Sequence, residues 1–129
     1  MKDVIGNKTL KDLMIPGTHN AGSYEAYRPG GTPRGRCAND AHDEDVFNQL
    51  VYGNRFLDFR VIFQHVAGSK EKFWITHNIL RTNNSVREVL SQVKRFLDNT
   101  NEIVIIDFRL VPRQGFVTVG WTKQTTKIK

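Results

Sequence analysis

The stretch Phe56-Leu57-Asp58-Phe59-Arg60 is an apolar run that ends in a carboxylate and a guanidinium. Three further runs share this form: Leu13-Met14-Ile15 leads to Thr18-His19-Asn20, Phe73-Trp74-Ile75 leads to Thr76-His77, and Ile103 to Ile106 leads to Asp107-Phe108-Arg109. If the four runs are parallel strands, they bring two histidines, two carboxylates and two arginines to one end of one sheet. Active sites of α/β barrels lie at that end. The sequence therefore predicts an enzyme that uses acid–base chemistry.

Length and composition indicate one soluble globular domain. The chain has 129 residues, which is enough for one ordinary domain. With 39% hydrophobic and 25% charged residues, its composition is that of a folded protein rather than a disordered one. No stretch approaches the roughly 20 consecutive apolar residues of a membrane helix, and Met1 to Gly6 lacks the apolar core of a signal peptide. The sequence leaves the compartment open between cytoplasmic and secreted, at the periphery of a membrane.

Charge and cysteine content argue against a nucleic-acid partner and against disulfide or thiol chemistry. The formal net charge of +6 favours anionic partners, but the bases are scattered along the chain. The densest group, Lys123, Lys127 and Lys129, lacks the aromatic residues on which single-strand binders stack bases. Nucleic acid is therefore not an expected partner. Cys37 is the single cysteine, which excludes an internal disulfide and disfavours a thiol metal site.

Two strands and a short helix are predicted in the first half of the chain. The strands are Asp12 to Thr18 and Arg55 to Phe63. The helix runs from Glu44 to Tyr52, with Asp43 as its N-cap and Gly53 as its stop. Between the first strand and this helix, Gly22 to Ala41 is a Pro/Gly-rich loop, either a mobile active-site loop or an exposed connection.

In the second half, the clearest element is a helix from Ser85 to Asp98, which opens with a capping-box pattern. Strands are expected on either side of it, at Lys72 to His77 and at Glu102 to Leu110. Gly115 to Trp121 could form one more strand, and Thr122 to Lys129 reads as a loose tail. The predicted order is β-(loop, short α)-β-β-α-β.

Asp58 and Arg60 are the first candidate site residues. They are two positions apart on a strand, so their side chains share a face. The planar guanidinium of Arg60 suits a phosphate oxygen, while Asp58 can hold a neighbouring group in position. A structural ion pair inside a barrel is the alternative for these two residues. Asp107 and Arg109 repeat the spacing and are either structural or substrate-binding.

Two histidines at strand ends are candidates for proton transfer. His19 and His77 can serve as general base and general acid near neutral pH. Attack at phosphorus needs one group to take a proton and another to protonate the leaving oxygen. A lone histidine at a strand end is usually structural or exposed, so the combination with Arg60 carries the argument. His42 and His65 fall in loops, and we expect no role for them.

The motifs resemble, in order, those of the phosphatidylinositol-specific phospholipase C X-domain family. Ile15-Pro16-Gly17-Thr18-His19-Asn20-Ala21-Gly22-Ser23-Tyr24 is similar to its first catalytic motif. The later matches are Asn48-Gln49-Leu50 with Gly53 to Arg60, then Trp74-Ile75-Thr76-His77, then Val89 to Leu97 followed by Glu102 to Phe108. The resemblance covers about residues 10 to 111 and is nearest to the X-domain-only proteins of animals.

The resemblance implies a TIM-like barrel that cleaves the glycerol–phosphate bond of phosphoinositides at a membrane surface. His19 would be the general base on the inositol 2-hydroxyl. His77 would be the general acid toward the diacylglycerol oxygen, or would stabilise the phosphorane-like transition state. Arg60 would neutralise the phosphate charge, and Asp58 would orient the hydroxyl and the arginine. Beside these roles, we expect Asn20, Asp107 and Arg109 to bind substrate.

The resemblance favours calcium binding at one position of the chain and disfavours it at another. Asn20 matches a calcium ligand of the calcium-dependent members, which also carry two acids on the second strand. Here the second of those positions is Arg60, as in metal-independent bacterial members. A guanidinium there would repel a cation, so we expect no metal and no other cofactor.

The match ends after the fourth strand, although a full barrel needs about 250 residues. The fold class expected is therefore α/β, a partial TIM-like (β/α) barrel corresponding to the first half of an X domain. Residues 1–129 would form this single partial domain, with 112–129 as a divergent tail. Open sheet edges invite self-association, and we expect a fragment or a truncated form.

Two other functions stay open. The chain can be a non-catalytic remnant that binds lipid or a partner. It can also be a different lipid phosphodiesterase, such as a glycerophosphodiesterase. Enzymes of that kind bind a divalent metal through several acids near the first histidine, and this sequence shows no such acidic cluster.

Overall fold

The structure, a computed structural model, describes residues 1–24, 41–77 and 80–112. Within these ranges there are three helices and five strands, numbered in chain order: α1 Lys2–Ile5, β1 Gly17–Thr18, α2 Val46–Val51, β2 Phe56–Phe63, β3 Phe73–His77, β4 Leu80–Ser85, α3 Val86–Asp98 and β5 Ile105–Leu110, with a 3-10 turn at Leu10–Asp12. Most of the predicted Pro/Gly-rich loop, Cys37, the strand predicted at 115–121 and the tail lie outside the described residues.

One curled five-stranded sheet organises the molecule, and β2 lies at its centre. β2 runs parallel to β1, with Gly17 opposite Phe56, and parallel to β5 along its first six residues. In the second ladder Asp58 lies opposite Asp107, and Arg60 lies opposite Arg109. The two acid–arginine pairs of the sequence are therefore side by side on neighbouring strands.

β3 corrects the prediction that all four apolar runs are parallel strands. It is antiparallel to β2, with Phe63 opposite Phe73 and Val61 opposite Ile75. Only residues 64–72 join the two strands, whereas a parallel crossover needs roughly a dozen residues or more. The linker is therefore a hairpin, and its length in the sequence already argued against a parallel β3.

Two further strand predictions need correction. The first strand is only Gly17–Thr18, because Leu10–Asp12 form a 3-10 turn and Met14 is fully exposed rather than buried. The last strand begins at Ile105 rather than at Glu102. β4 was not predicted at all, since its polar sequence Arg-Thr-Asn-Asn-Ser has low β-propensity. It pairs antiparallel with β3, and His77 lies opposite Leu80.

Both longer helices lie where the sequence predicts them. The N-cap of α2 is Asp45 rather than Asp43, and its carboxylate accepts a hydrogen bond from the Asn48 amide at 2.8 Å. Gly53 follows this helix with φ of +103°, a backbone conformation that favours glycine. The hydroxyl of Ser85 caps α3 by accepting from the Glu88 amide at 3.1 Å. None of the described helices has the length and hydrophobicity needed to cross a bilayer.

The core lies between the two helices and one face of the sheet. Its members are apolar and buried: Val46 and Leu50 from α2, Val89, Val93 and Phe96 from α3, and Leu57, Phe59, Val61, Ile75 and Ile106 from the strands. Alternate residues of a strand face opposite sides. Burial of Leu57, Phe59 and Val61 in this core therefore turns Asp58 and Arg60 to the other face.

Close packing between β3 and the segment after β1 gives a first testable prediction. A Cβ added to Gly22 would lie 2.9 Å from the Ile75 side chain. We expect Gly22→Ala to lower the free energy of unfolding by about 1–3 kcal/mol, as overpacking does. Urea denaturation of this variant in the Ile75→Ala background is the matched test, because alanine lacks the Cδ1, Cγ1 and Cγ2 atoms that the added Cβ would meet. An equal loss in both backgrounds would contradict the packing explanation.

Candidate functional site

The buried carboxylate of Asp58 is the centre of the candidate site. Only 5% of this residue is exposed. Its oxygens lie 2.8 Å from Nδ1 of His19 and 3.0 and 3.1 Å from Nε of Arg60. Nε of Arg109, on the adjacent strand, is 3.7 Å away. One carboxylate therefore holds a histidine from the segment after β1 and two guanidiniums, one from β2 and one from β5.

The surroundings keep Asp58 ionised. Burial on its own would raise the pKa of this carboxyl group. The hydrogen bond and the positive charge of Arg60, the Asn20 amide and the charge of Arg109 outweigh burial and hold the pKa of Asp58 below its ordinary value. At neutral pH the group is therefore an anion that accepts hydrogen bonds.

This anion fixes the orientation of the His19 ring. A carboxylate can only accept, so Nδ1 of His19 carries the proton that faces Asp58. Nε2 of a neutral His19 is then the ring atom that can accept a proton from elsewhere. The His19 side chain is largely exposed, which gives a substrate access to it. The geometry is that of a general base oriented by a buried acid.

Backbone geometry places His19 beside Asp58. Asn20 has φ of +54°, a left-handed conformation that asparagine tolerates better than most residues. This turn directs the Asn20 amide to the Asp58 carboxylate at 3.4 Å and the Ala21 amide to the Asp58 carbonyl at 2.9 Å. The segment after β1 is thereby attached to β2 through both the backbone and the side chain of Asp58.

Three side chains that sequence reasoning missed hold the same segment. The buried amides of Gln49 and Asn84 donate to its carbonyl groups, Gln49 to Ala21 at 2.9 Å and Asn84 to Gly22 and Tyr24 at 3.0 and 2.6 Å. His42, for which no role was expected, donates from Nε2 to the carbonyl of His19 at 2.6 Å. The position of Gln49 beside the apolar residues of a helix could have predicted that its amide is buried. No local sequence feature predicts the same for Asn84.

Asp107 and Arg109 extend the charged network. Nε of Arg109 donates to Asp107 at 3.0 Å, and this bond, with the charges of Asp107 and Asp58, holds the pKa of Arg109 above its usual value. The side chain of Arg109 is about half exposed, and that of Arg60 is partly exposed. Two permanently charged guanidiniums therefore reach solvent next to His19, where they can bind a phosphate group.

His77 is the last residue of β3 and is half-buried. Because β3 is antiparallel to β2, it starts opposite Phe63 and runs back toward the part of β2 that carries Arg60. β3 also packs on the segment after β1, at the contact of Ile75 with Gly22. The structure thus places His77 on the strand next to this segment, and its role stays a prediction.

Calcium does not suit the residues around Asp58 that the structure describes. In this part of the chain no group of three or more His, Cys, Asp or Glu side chains is placed to hold a metal ion. Both oxygens of Asp58 already contact Arg60, and one of them contacts His19. The guanidinium of Arg60 thus occupies the space beside the Asp58 carboxylate that a cation bound by Asp58 would need.

Known proteins are similar to this chain in sequence and in structure. A PI-PLC X domain-containing protein of Dictyostelium discoideum is 31% identical over an alignment 109 residues long, and the alignment covers 75% of this chain and 18% of that protein. A solved structure of the phosphatidylinositol-specific phospholipase C of S. aureus, from work on its membrane binding, matches with a TM-score of 0.65 at 22% identity. That match covers 85% of this chain and 34% of the solved chain, and at this identity it shows the fold alone. No protein-family model matches the chain.

Proposed function

Because this chain belongs to the phosphatidylinositol-specific phospholipase C X-domain family, we propose that it carries the acid–base site of a phosphoric diester hydrolase. The substrate class is phosphatidylinositol-like lipid at a membrane surface. The contact of 2.8 Å between His19 Nδ1 and Asp58 carries the proposal, because it orients a base beside two arginines.

In the proposed reaction, Nε2 of His19 takes the proton of the inositol 2-hydroxyl. The oxygen then forms a bond to phosphorus, and the bond from phosphorus to the glycerol oxygen breaks. His77 donates a proton to that leaving oxygen, which gives diacylglycerol and a cyclic inositol phosphate. Arg60 and Arg109 neutralise the phosphate charge, and Asp58 stabilises the imidazolium of His19.

We further propose that residues 1–129 form one partial X domain, about the first half of a TIM-like barrel. The chain spans less than a fifth of the length of the curated relative. In the described ranges β5 pairs with β2 alone, and Phe108 and Leu110 of β5 are exposed apolar residues. Further strands, from additional chain or from a second copy, would cover this edge and complete the site.

The pairing of β5 with β2 alone in the described ranges also favours a second candidate function. If no further strands complete the barrel, the arginines can still bind a phosphate headgroup. The active site would then lack the groups that the other strands supply for catalysis. The chain would then be a lipid- or partner-binding remnant that does not turn over.

Release of water-soluble inositol phosphate from phosphatidylinositol vesicles separates the two functions. The protein should be assayed in its native full-length form, with phosphatidylcholine vesicles as the control for headgroup. We expect release from phosphatidylinositol alone. Headgroup-dependent vesicle binding without release would replace the hydrolase with the binding remnant.

A further inference from the structure

Three aromatic rings cluster at the surface of the hairpin that joins β2 to β3. We call residues 63–73 the hairpin tip. Phe63 and Phe73 are 46% and 49% exposed, and their rings meet edge to face with centroids 5.3 Å apart. The ring of His65 packs on Phe63 at the same centroid distance. A contiguous group of exposed rings of this kind marks an interaction surface more often than a single exposed apolar residue does.

The position of the hairpin tip relates this cluster to the candidate site. Phe63 follows Arg60 by three residues on β2, which places it about 10 Å further along the strand. β2 runs toward the end of the sheet at which His19 and Asp58 meet. The hairpin tip therefore projects beyond the site, at the end from which a substrate must approach.

Charge at the hairpin tip is predominantly positive. Lys70 and Lys72 are exposed. Glu71, the acid between them, already forms an ion pair of 2.6 Å with the exposed Arg87 of α3. The two lysines are thus left without this acid as a partner. Exposed aromatic rings flanked by lysines match an anionic bilayer surface, where rings enter the headgroup region and ammonium groups meet lipid phosphates.

We propose that the hairpin tip is the docking surface of this chain for an anionic phospholipid bilayer. Phe63 and Phe73 enter the interface between headgroups and acyl chains, and Lys70 and Lys72 bind headgroups. This inference rests on the proposed function in one respect: docking would bring substrate lipid to the proposed catalytic site. A bilayer fits better than a folded partner, because the exposed rings are flanked by the exposed Lys70 and Lys72, which match anionic headgroups.

Vesicles of phosphatidylcholine and phosphatidylserine contain no phosphatidylinositol. They therefore test docking separately from substrate binding at the catalytic site. In co-sedimentation of the full chain, we expect Phe63→Ser/Phe73→Ser to lower the partition coefficient by roughly ten-fold or more, because both rings leave the interface. Lys70→Glu/Lys72→Glu should lower it as well, and added salt should weaken wild-type binding. Tyr52→Ser is the matched control, since Tyr52 is 72% exposed and precedes the opposite end of β2.

The lysine variant guards against a folding artefact, because both substitutions lie on exposed side chains. Unchanged binding in both hairpin variants would overturn the proposal, as would an equal loss in Tyr52→Ser. A change of oligomeric state in Phe63→Ser/Phe73→Ser with unchanged vesicle binding would also overturn it, since the rings would then contact a second copy.

A soluble substrate separates this proposal from the proposed function. Phe63→Ser/Phe73→Ser should cleave a water-soluble inositol phosphodiester at the wild-type rate and cleave vesicle phosphatidylinositol more slowly. Equal slowing on both substrates would contradict docking by the hairpin tip. If the wild type cleaves neither substrate, the hydrolase proposal fails, and the co-sedimentation result still decides the docking proposal.

Discussion

His19→Ala is expected to reduce cleavage of phosphatidylinositol by roughly 10²- to 10⁴-fold, the usual contribution of a general base. The imidazole is oriented by Asp58 and is the group proposed to take the proton of the attacking hydroxyl. Because the side chain is largely exposed, its removal leaves little cavity, and the variant should unfold near the wild-type temperature. The measurement is initial rate on phosphatidylinositol vesicles, with thermal unfolding followed in parallel.

His77→Ala and His65→Ala complete this comparison. His77 is the proposed acid, so its loss should slow the reaction on a comparable scale. His65 lies on the hairpin tip and is the matched histidine control, best assayed with a water-soluble inositol phosphodiester. Rates equal to the wild type for both His19→Ala and His77→Ala would remove the acid–base mechanism. A comparable loss in His65→Ala would show that the effect is not specific to the site.

The local part of the site could be predicted from sequence. Two residues separated by one position on a strand must share a face, and Arg60 indeed contacts Asp58. Parallel strands align their carboxyl ends, so the same rule placed Arg109 of β5 near Asp58. Both inferences need only the geometry of an extended chain and of a parallel ladder.

Two other features were not predicted. The direction of β3 could have been inferred from the length of the linker before it, whereas the contacts of Gln49 and Asn84 depend on long-range packing. The short linker 64–72 already required β3 to be antiparallel, yet the apolar character of Phe73 to Ile75 suggested a parallel barrel strand. The hydrogen bonds of Gln49 and Asn84 to the segment after His19 join residues distant in sequence. A side-chain amide has the same local pattern whether it meets solvent or a buried carbonyl, so no local rule identifies these contacts.

Asp58→Asn is the substitution expected to reduce stability most. Removing one partner of a buried ion pair typically costs about 3–5 kcal/mol, because the remaining charge is left uncompensated. Here Arg60 and Arg109 are partly exposed and can regain water, so we expect a loss of about 3 kcal/mol, at the lower end of that range. Asp107→Asn is the matched control, since Asp107 is more exposed and, among the described residues, pairs with Arg109 alone; its loss should be about 1 kcal/mol or less.

The pH dependence of stability identifies the charge of Asp58 as the cause. The folded-state pKa of Asp58 lies below 3.8, the value taken for the unfolded chain. Its contribution is therefore fully present well above pH 3.8 and is lost as the pH falls through the lower folded-state pKa. The difference in unfolding free energy between wild type and Asp58→Asn should accordingly shrink as the pH falls below about 4. A difference that persists unchanged at pH 3 would assign the loss to packing of the amide rather than to the missing carboxylate charge.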